Sequence, residues 1–298
     1  MKILYGIPYM GSKTKIAPDI LRQLPNGERF VDLFGGGFAM SHAAYLSRKY
    51  KQVLYNEYEP LLVELIQAAL RGDFNYSKFK PEFITREQFE QRKNKSGYVK
   101  YIWSFGNNGK NYLFGKDIEP LKHAAHDFVV FGNRSKLLDK IHPQIQRAVT
   151  ARDIHTRREQ FCGFARKYAK RFDLQQLEQL ERLQQLEQLE RLQQLEQLEQ
   201  LEQLEQLETK CGSYLDYKYQ QGDIVYCDPP YEGTADYGGA FNSDEFYEWA
   251  ITRPYQVWFS SYKISDNRFR LVWARQLRAT NGGAKSAKMN FECLYTNK

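Results

Sequence analysis

Short apolar runs alternate with helical stretches at both ends of this chain, and the two ends are separated by more than a hundred polar residues. Near the start, Phe30-Val31-Asp32-Leu33-Phe34 predicts a buried strand, closed by Gly35-Gly36-Gly37. An Ala-rich helix is expected over Ala39–Tyr50, preceded by a shorter one over Lys15–Leu24 that Pro25-Asn26-Gly27 breaks. Gln52–Tyr55 is the next strand, followed by Asn56-Glu57 and by a helix from Pro60 to Leu70 with proline in its first turn. After a long interval the rhythm resumes. Asp223–Cys227 and Gln256–Ser261 predict strands on either side of a helix over Ser243–Ile251, and Phe291–Tyr295 predicts a last one. Five strands with intervening helices imply an α/β fold built on one mixed sheet.

Between these ends the pattern changes twice. Residues 71–173 are basic and helical or irregular, with a turn-rich centre at Trp103–Gly109 and Tyr112–Gly115. Leucine then occupies every third position from Leu174 to Leu207, with Gln and Glu between, and Gln-Gln-Leu-Glu-Gln-Leu-Glu-Arg-Leu stands at both 175–183 and 184–192. These residues are strong helix formers. A period of three does not hold one apolar face on a helix, because each step falls about 60° short of a full turn, so no coiled-coil seam results. A dispensable spacer is the expectation for 174–208, with a partner-binding or oligomerisation device as the alternative.

Charge sharpens this division. The chain carries a formal +7, but 174–208 has nine Glu against two Arg, or −7, while 71–173 has 22 Lys/Arg against 11 Asp/Glu, or +11. A basic segment interleaved with Tyr, Phe and Trp suits a polyanion, nucleic acid above all, although a solvated surface has the same composition. No apolar run reaches the length of a membrane span, the N-terminus lacks the apolar core of a signal peptide, and a cytoplasmic protein is expected. Cys162, Cys211, Cys227 and Cys293 have no metal-binding or disulfide spacing.

Candidate chemistry sits where strands end. Strand, glycine turn, helix, strand and acid form the first half of a nucleotide-binding unit: the turn admits a ligand to the backbone, and Glu57, 21 residues after Gly36, stands where a ribose-binding carboxylate is expected. The plain alternative is an ordinary turn. Beyond Cys227, Asp228-Pro229-Pro230-Tyr231 stops the strand abruptly, since proline has no N–H and a fixed φ. A carboxylate, the Pro229 carbonyl and the Tyr231 ring together suit a planar amino group: two acceptors for its two hydrogens and a face for its ring. An Asp-Pro turn with Tyr231 in the core is the alternative.

Tyr9-Met10-Gly11-Ser12-Lys13, Asp32-Leu33-Phe34-Gly35-Gly36-Gly37, Asn56-Glu57 and Asp228-Pro229-Pro230-Tyr231 follow one another in the order of one family. The chain resembles the Dam-type (D12 class, alpha group) DNA adenine-N6 methyltransferases, particularly phage-encoded ones. That resemblance implies a Rossmann-like S-adenosylmethionine-dependent methyltransferase sheet from 1–70 and 209–298, an inserted helical DNA-recognition module over 71–173, and the Leu/Glu/Gln repeat over 174–208. It further implies S-adenosyl-L-methionine as cofactor and double-stranded DNA as partner; no metal is expected, and the oligomeric state is left open, with a monomer as the default expectation. Tyr9 and Lys13 match positions beside the cofactor's methionine end, with Lys13 pairing with its carboxylate. Asp32, Phe34 and Gly35, Gly36 and Gly37 match the loop beneath it, and Glu57 the ribose-binding acid. Asp228, Pro229, Pro230 and Tyr231 match the pocket for a flipped-out adenine, with Asp228 also bordering the cofactor. Two departures stand out: Phe38 replaces the last glycine of the family's F-x-G-x-G, and Glu57 stands where Asp is common. The same class of tetrapeptide serves cytosine-N4, RNA and glutamine-amide methylation, and a non-catalytic DNA-binding relative is the alternative outside catalysis.

Overall fold

A computed structural model describes residues 4–169, 197–204, 207–231, 241–278 and 289–298. Seven strands form one sheet in the order β3-β2-β1-β4-β5-β7-β6. They are β1 (Arg29–Asp32), β2 (Gln52–Glu57), β3 (Leu207–Cys211), β4 (Asp223–Cys227), β5 (Val257–Ser261), β6 (Arg270–Arg278) and β7 (Met289–Thr296). The first five run parallel, while β7 lies antiparallel between β5 and β6. This is a mixed α/β sheet consistent with the methyltransferase fold that the resemblance implies.

Its inner strands are buried along their length. All four residues of β1 and all five of β5 are buried, as parallel strands covered on both faces must be. Helices α1 (Ala17–Gln23) and α2 (Ala39–Ser47) pack one face, through Ile20, Leu21, Ala43 and Ala44 against Phe30, Val53 and Tyr226. The other face holds Val31, Leu54, Val225 and Phe259, packed with Phe246, Tyr247 and Trp249 from the C-terminal helix Ser243–Ile251.

Two strands escaped the hydrophobic pattern, both at sheet edges. β3 has only half-buried or exposed residues and begins inside the leucine repeat, at Leu207. β6 carries Arg270 and Arg275 among half-buried apolar residues, the charge that keeps an open edge from pairing with other chains.

At the amino end of the sheet, Arg29 of β1 donates two hydrogen bonds of 2.9 Å to the two carboxylate oxygens of Asp223 on β4. Tyr217 Oη and the Gln220 N–H donate to the same carboxylate. Burial raises the Asp223 pKa, but the Arg29 and Tyr217 hydrogen bonds outweigh it and hold the group below the usual carboxylate range. The fork locks the two central strands together at the end opposite the glycine turn.

By packing, the chain divides into one unit of residues 1–7, 11–66 and 204–298, which contains the sheet, and a second of 8–10 and 67–203. The boundary at 66/67 falls inside α3 (Pro60–Leu70). In the second unit, α4 (Arg86–Arg92) starts in a reciprocal cap between Thr85 and Gln88. It is followed by α5 (Glu119–Phe131), α6 (Lys136–Ile141) and α7 (Ile154–Ala169). Phe83 centres an aromatic cluster, stacked on His123 at 4.3 Å and edge-on to Trp103 at 5.1 Å. The Asn107-Asn108-Gly109 turn has positive φ at Asn107 and Gly109, and Asn107 Nδ2 donates to the Tyr101 carbonyl.

Most of the leucine repeat lies outside the described residues, but its end does not. Leu198 and Leu201 are fully buried within the second unit. Glu199 pairs with His155 at 2.9 Å, and Glu202 accepts from Asn75 Nδ2 at 2.7 Å. Gly72, at φ +76°, leaves room for that glutamate, whose Oε1 would lie 2.4 Å from a Cβ there. Residues 198–204 and 207–208 therefore take part in the fold, and a deletion reaching Leu207 removes core residues along with the spacer.

Two predictions follow from this packing. Arg29→Met strands the buried Asp223 carboxylate and costs about 3 kcal/mol, read by urea unfolding at pH 7. Because the folded Asp223 pKa is depressed, this contribution is present above the unfolded value near 4 and lost as pH falls through the folded value. The gap between wild type and variant therefore closes in acid. Leu201→Ala opens a cavity in the second unit and lowers stability by about 2–5 kcal/mol, whereas a solvated spacer leucine would cost almost nothing.

Candidate active site

Strand β1 connects onward to β2 on one side of the sheet, and β4 to β5 on the other, so the sheet reverses direction between β1 and β4. In open α/β sheets ligands bind outside the carboxyl ends of strands at such a point. Asp32 lies opposite Tyr226 in the parallel register, so the residues after each strand, Leu33–Gly37 and Asp228–Tyr231, leave from one edge.

The glycine turn is tightly built. Tyr55 Oη donates to the Gly36 carbonyl at 2.9 Å, and the Gly35 N–H donates to the Asn56 carbonyl at 2.8 Å. A Cβ on Gly35 would stand 2.2 Å from the Tyr55 ring, so only glycine fits. Gly36 adopts φ +47° and Phe38 φ +70°, both in the left-handed region. In a glycine place Phe38 bears that conformation with a side chain, but the ring is fully buried between His42 and Tyr55, at 6.3 and 5.3 Å. Packing offsets backbone strain here. Phe34 is half-buried against Tyr214 and Phe246.

Glu57, at the carboxyl end of β2, closes over the turn. Its Oε2 accepts from the Gly36 N–H at 2.8 Å and its Oε1 from the Glu59 N–H at 3.0 Å. Burial raises its pKa, and these backbone hydrogen bonds offset only part of the rise.

Asp32 is 1 % exposed, and Ser41 Oγ donates to its Oδ2 at 2.8 Å. Its Oδ1 is buried with no hydrogen-bond partner among the described residues. Burial pushes the Asp32 carboxyl up to about 7; the Ser41 bond opposes this and the Asp228 and Glu57 charges add to it. An orphaned buried acceptor costs stability unless a donor reaches it. Any N–H or O–H donor that reaches Oδ1 would satisfy it.

Beyond β4, Asp228 is half-buried and both of its oxygens are engaged. Lys13 Nζ pairs with Oδ2 at 2.7 Å, and Tyr231 Oη donates to Oδ1 at 3.1 Å. Lys13, itself buried, also lies 3.4 Å from Glu292 on β7, and the single Tyr231 hydroxyl hydrogen is shared between Asp228 and Glu292. Burial disfavours the Lys13 ammonium, but Asp228 and Glu292 outweigh that and leave its pKa raised. Burial raises Glu292 too, with Lys13 pulling the other way. Lys13 Nζ sits 4.9 Å from the centre of the Tyr231 ring, and Tyr262 meets that ring edge-on at 4.7 Å. Pro229 is buried and Pro230 half-buried, which fixes the turn.

The sheet unit thus gathers Lys13, Asp32, Phe34, Gly35–Gly37, Glu57 and Asp228–Tyr231 at the carboxyl ends of β1, β2 and β4. Tyr9 packs instead in the second unit, edge-on to Tyr101 at 5.6 Å. Sequence reasoning missed Glu292, whose signal was an acid within the apolar run Phe291–Tyr295. It also missed Ser41, the only side-chain hydrogen-bond partner of the Asp32 carboxylate among the described residues.

Asp32 yields a pH test. An acid whose folded pKa lies near 7 and unfolded pKa near 4 binds more protons when folded, so stability falls as pH rises between those values. Asp32→Asn removes that slope. Urea unfolding from pH 5 to 8 should show the variant gaining on the wild type as pH rises; a constant difference would contradict a titrating Asp32.

Comparison with known proteins bears on the first part of the chain. No curated protein matches the chain. The matched family span contains Lys13, Asp32, the glycine turn and Glu57, and ends before Asp228. Over residues 9–129 the chain matches the family model of the D12 class N6 adenine-specific DNA methyltransferases.

Proposed function

We propose that the protein transfers a methyl group from S-adenosylmethionine to the N6 amino group of a flipped-out adenine in DNA. The observation that carries this reading is the Asp228-Pro229-Pro230-Tyr231 turn, leaving β4 beside the orphaned Asp32 carboxylate at the reversal point of the sheet.

The residues fit that cofactor. When bound, S-adenosylmethionine supplies an electrophilic methyl on a positively charged sulfonium. Asp32, Glu57, Asp228 and Glu292 give the site more acid than base, which suits a ligand carrying cationic groups. The buried Asp32 Oδ1 lacks only a donor. Gly35–Gly37 bring backbone close to whatever lies above them, and α2 begins just beyond them without a side-chain cap. Glu57 already orders the turn and keeps lone pairs for ribose hydroxyls.

An adenine amino group is a poor nucleophile, because its lone pair is delocalised into the ring. Asp228 and the Pro229 carbonyl would accept its two hydrogens, favouring a pyramidal nitrogen with its lone pair turned to the methyl. As the nitrogen gains the methyl it sheds one proton, for which Asp228 is the acceptor in contact. Tyr231 would stack on the base, which cannot be reached inside a duplex. Positioning and electrostatics then lower the barrier without a covalent enzyme intermediate. The basic 71–173 segment would hold phosphates and read the flanking bases through a few side chains.

The experiment is incubation with labelled S-adenosylmethionine and unmethylated duplex DNA, followed by digestion and detection of N6-methyladenine. Asp228→Ala should lower turnover at least about a hundred-fold while DNA affinity stays within a few-fold. Turnover at the wild-type rate in that variant would refute the role of Asp228.

A further inference from the structure

The adenine pocket of the reading above is already filled by the protein's own cation. Lys13 Nζ lies 2.7 Å from Asp228 Oδ2, where an amino hydrogen of the base would have to point. The same ammonium sits 4.9 Å from the centre of the Tyr231 ring, over which the base would stack. Tyr231 Oη occupies the remaining Asp228 oxygen at 3.1 Å. A base that makes both contacts therefore cannot enter while Lys13 stays.

Lys13 cannot simply leave, because a buried ammonium without a counter-ion is costly. Glu292 answers that need. It is 5 % exposed, stands 3.4 Å from Lys13 Nζ, and accepts from the Tyr231 hydroxyl. The ammonium needs a shift of well under 1 Å in that distance to reach ordinary ion-pair contact with Glu292. Lys13 Nζ also donates to the Gly11 carbonyl at 3.5 Å, a further contact that can hold the ammonium as it shifts.

We infer that Lys13 is a place-holder for the target amino group, and that Glu292, which already holds the Tyr231 hydroxyl, is the positioning residue which receives Lys13 when the base enters. This rests on the functional reading above. The exchange keeps the Lys13 ammonium paired in both states: chiefly with Asp228 in the empty pocket, and with Glu292 in the filled one, where Asp228 accepts from the base instead. It also gives a flipped base a pocket that is never an empty, partly dehydrated carboxylate. Glu292 does not touch the base; it acts through Lys13 and Tyr231.

A double-mutant cycle tests it, with kcat and KM measured on unmethylated bacterial chromosomal DNA at saturating S-adenosylmethionine, and folding checked by thermal melting. Glu292→Gln should raise the KM for DNA about ten-fold and change kcat by less than about three-fold, because base capture and not the methyl step is impaired. Glu292→Asp, which keeps the charge, should restore most of the loss. In a Lys13→Met background there is no ammonium to receive, so Glu292→Gln should change KM by less than about two-fold. A ten-fold defect that persists in Lys13→Met, or equal defects in Glu292→Asp and Glu292→Gln, would overturn the exchange and leave Glu292 a packing residue. Should Glu292→Gln fail to fold, Glu292→Asp compared in the two Lys13 backgrounds decides in the same way. Absence of methyl incorporation by the wild type would overturn the functional reading and the exchange with it; incorporation with additive effects would overturn the exchange alone.

Discussion

Everything at the candidate site depends on the parallel pairing of β1 with β4. Four consecutive residues of each strand stand side by side, from Arg29 opposite Asp223 to Asp32 opposite Tyr226. At one end the pairing is held by a buried guanidinium–carboxylate fork. At the other it delivers two unlike carboxylates to one edge: Asp32, short of a partner, and Asp228, oversupplied with them. A slip of one residue would exchange the faces of the strands and destroy both ends together. The fork and the site are thus two results of one register.

The five inner strands and most flanking helices were legible because they obey local rules: β-branched and aromatic runs, glycine and proline stops, caps. The edge strands were not. β3 emerges from Leu-Glu-Gln repetition and β6 from an arginine-bearing stretch, and their core contacts, Leu207 in one and Val272 and Trp273 in the other, are too few and too mixed with polar residues to announce a strand. They are strands because a neighbour offers unpaired backbone, which is a tertiary fact.

The site divides in the same way. Lys13, Gly35–Gly37, Glu57 and Asp228–Tyr231 stood out as residue types at turns, and the fold gathers them in one unit. What each one bonds to was not legible. Lys13, which the family pattern assigns to the carboxylate of a cofactor, points at Asp228, and Glu292 enters from a strand some sixty residues after the tetrapeptide. Such pairings are set by three-dimensional proximity between segments far apart in sequence. Phe38 shows the converse: a residue that breaks the glycine pattern is accommodated because its ring completes the core beneath the turn.

The docked end of the leucine repeat has a consequence for how this chain can vary. Leu198 and Leu201 are anchored three residues apart, and the repeat that precedes them has the same three-residue period. Adding or removing whole triplets upstream leaves the residues at the anchor unchanged in kind: leucine still meets the buried seats, and glutamate still follows each one. The attachment is indifferent to how many units come before it. Nine nucleotides encode each triplet, so such changes also preserve the reading frame.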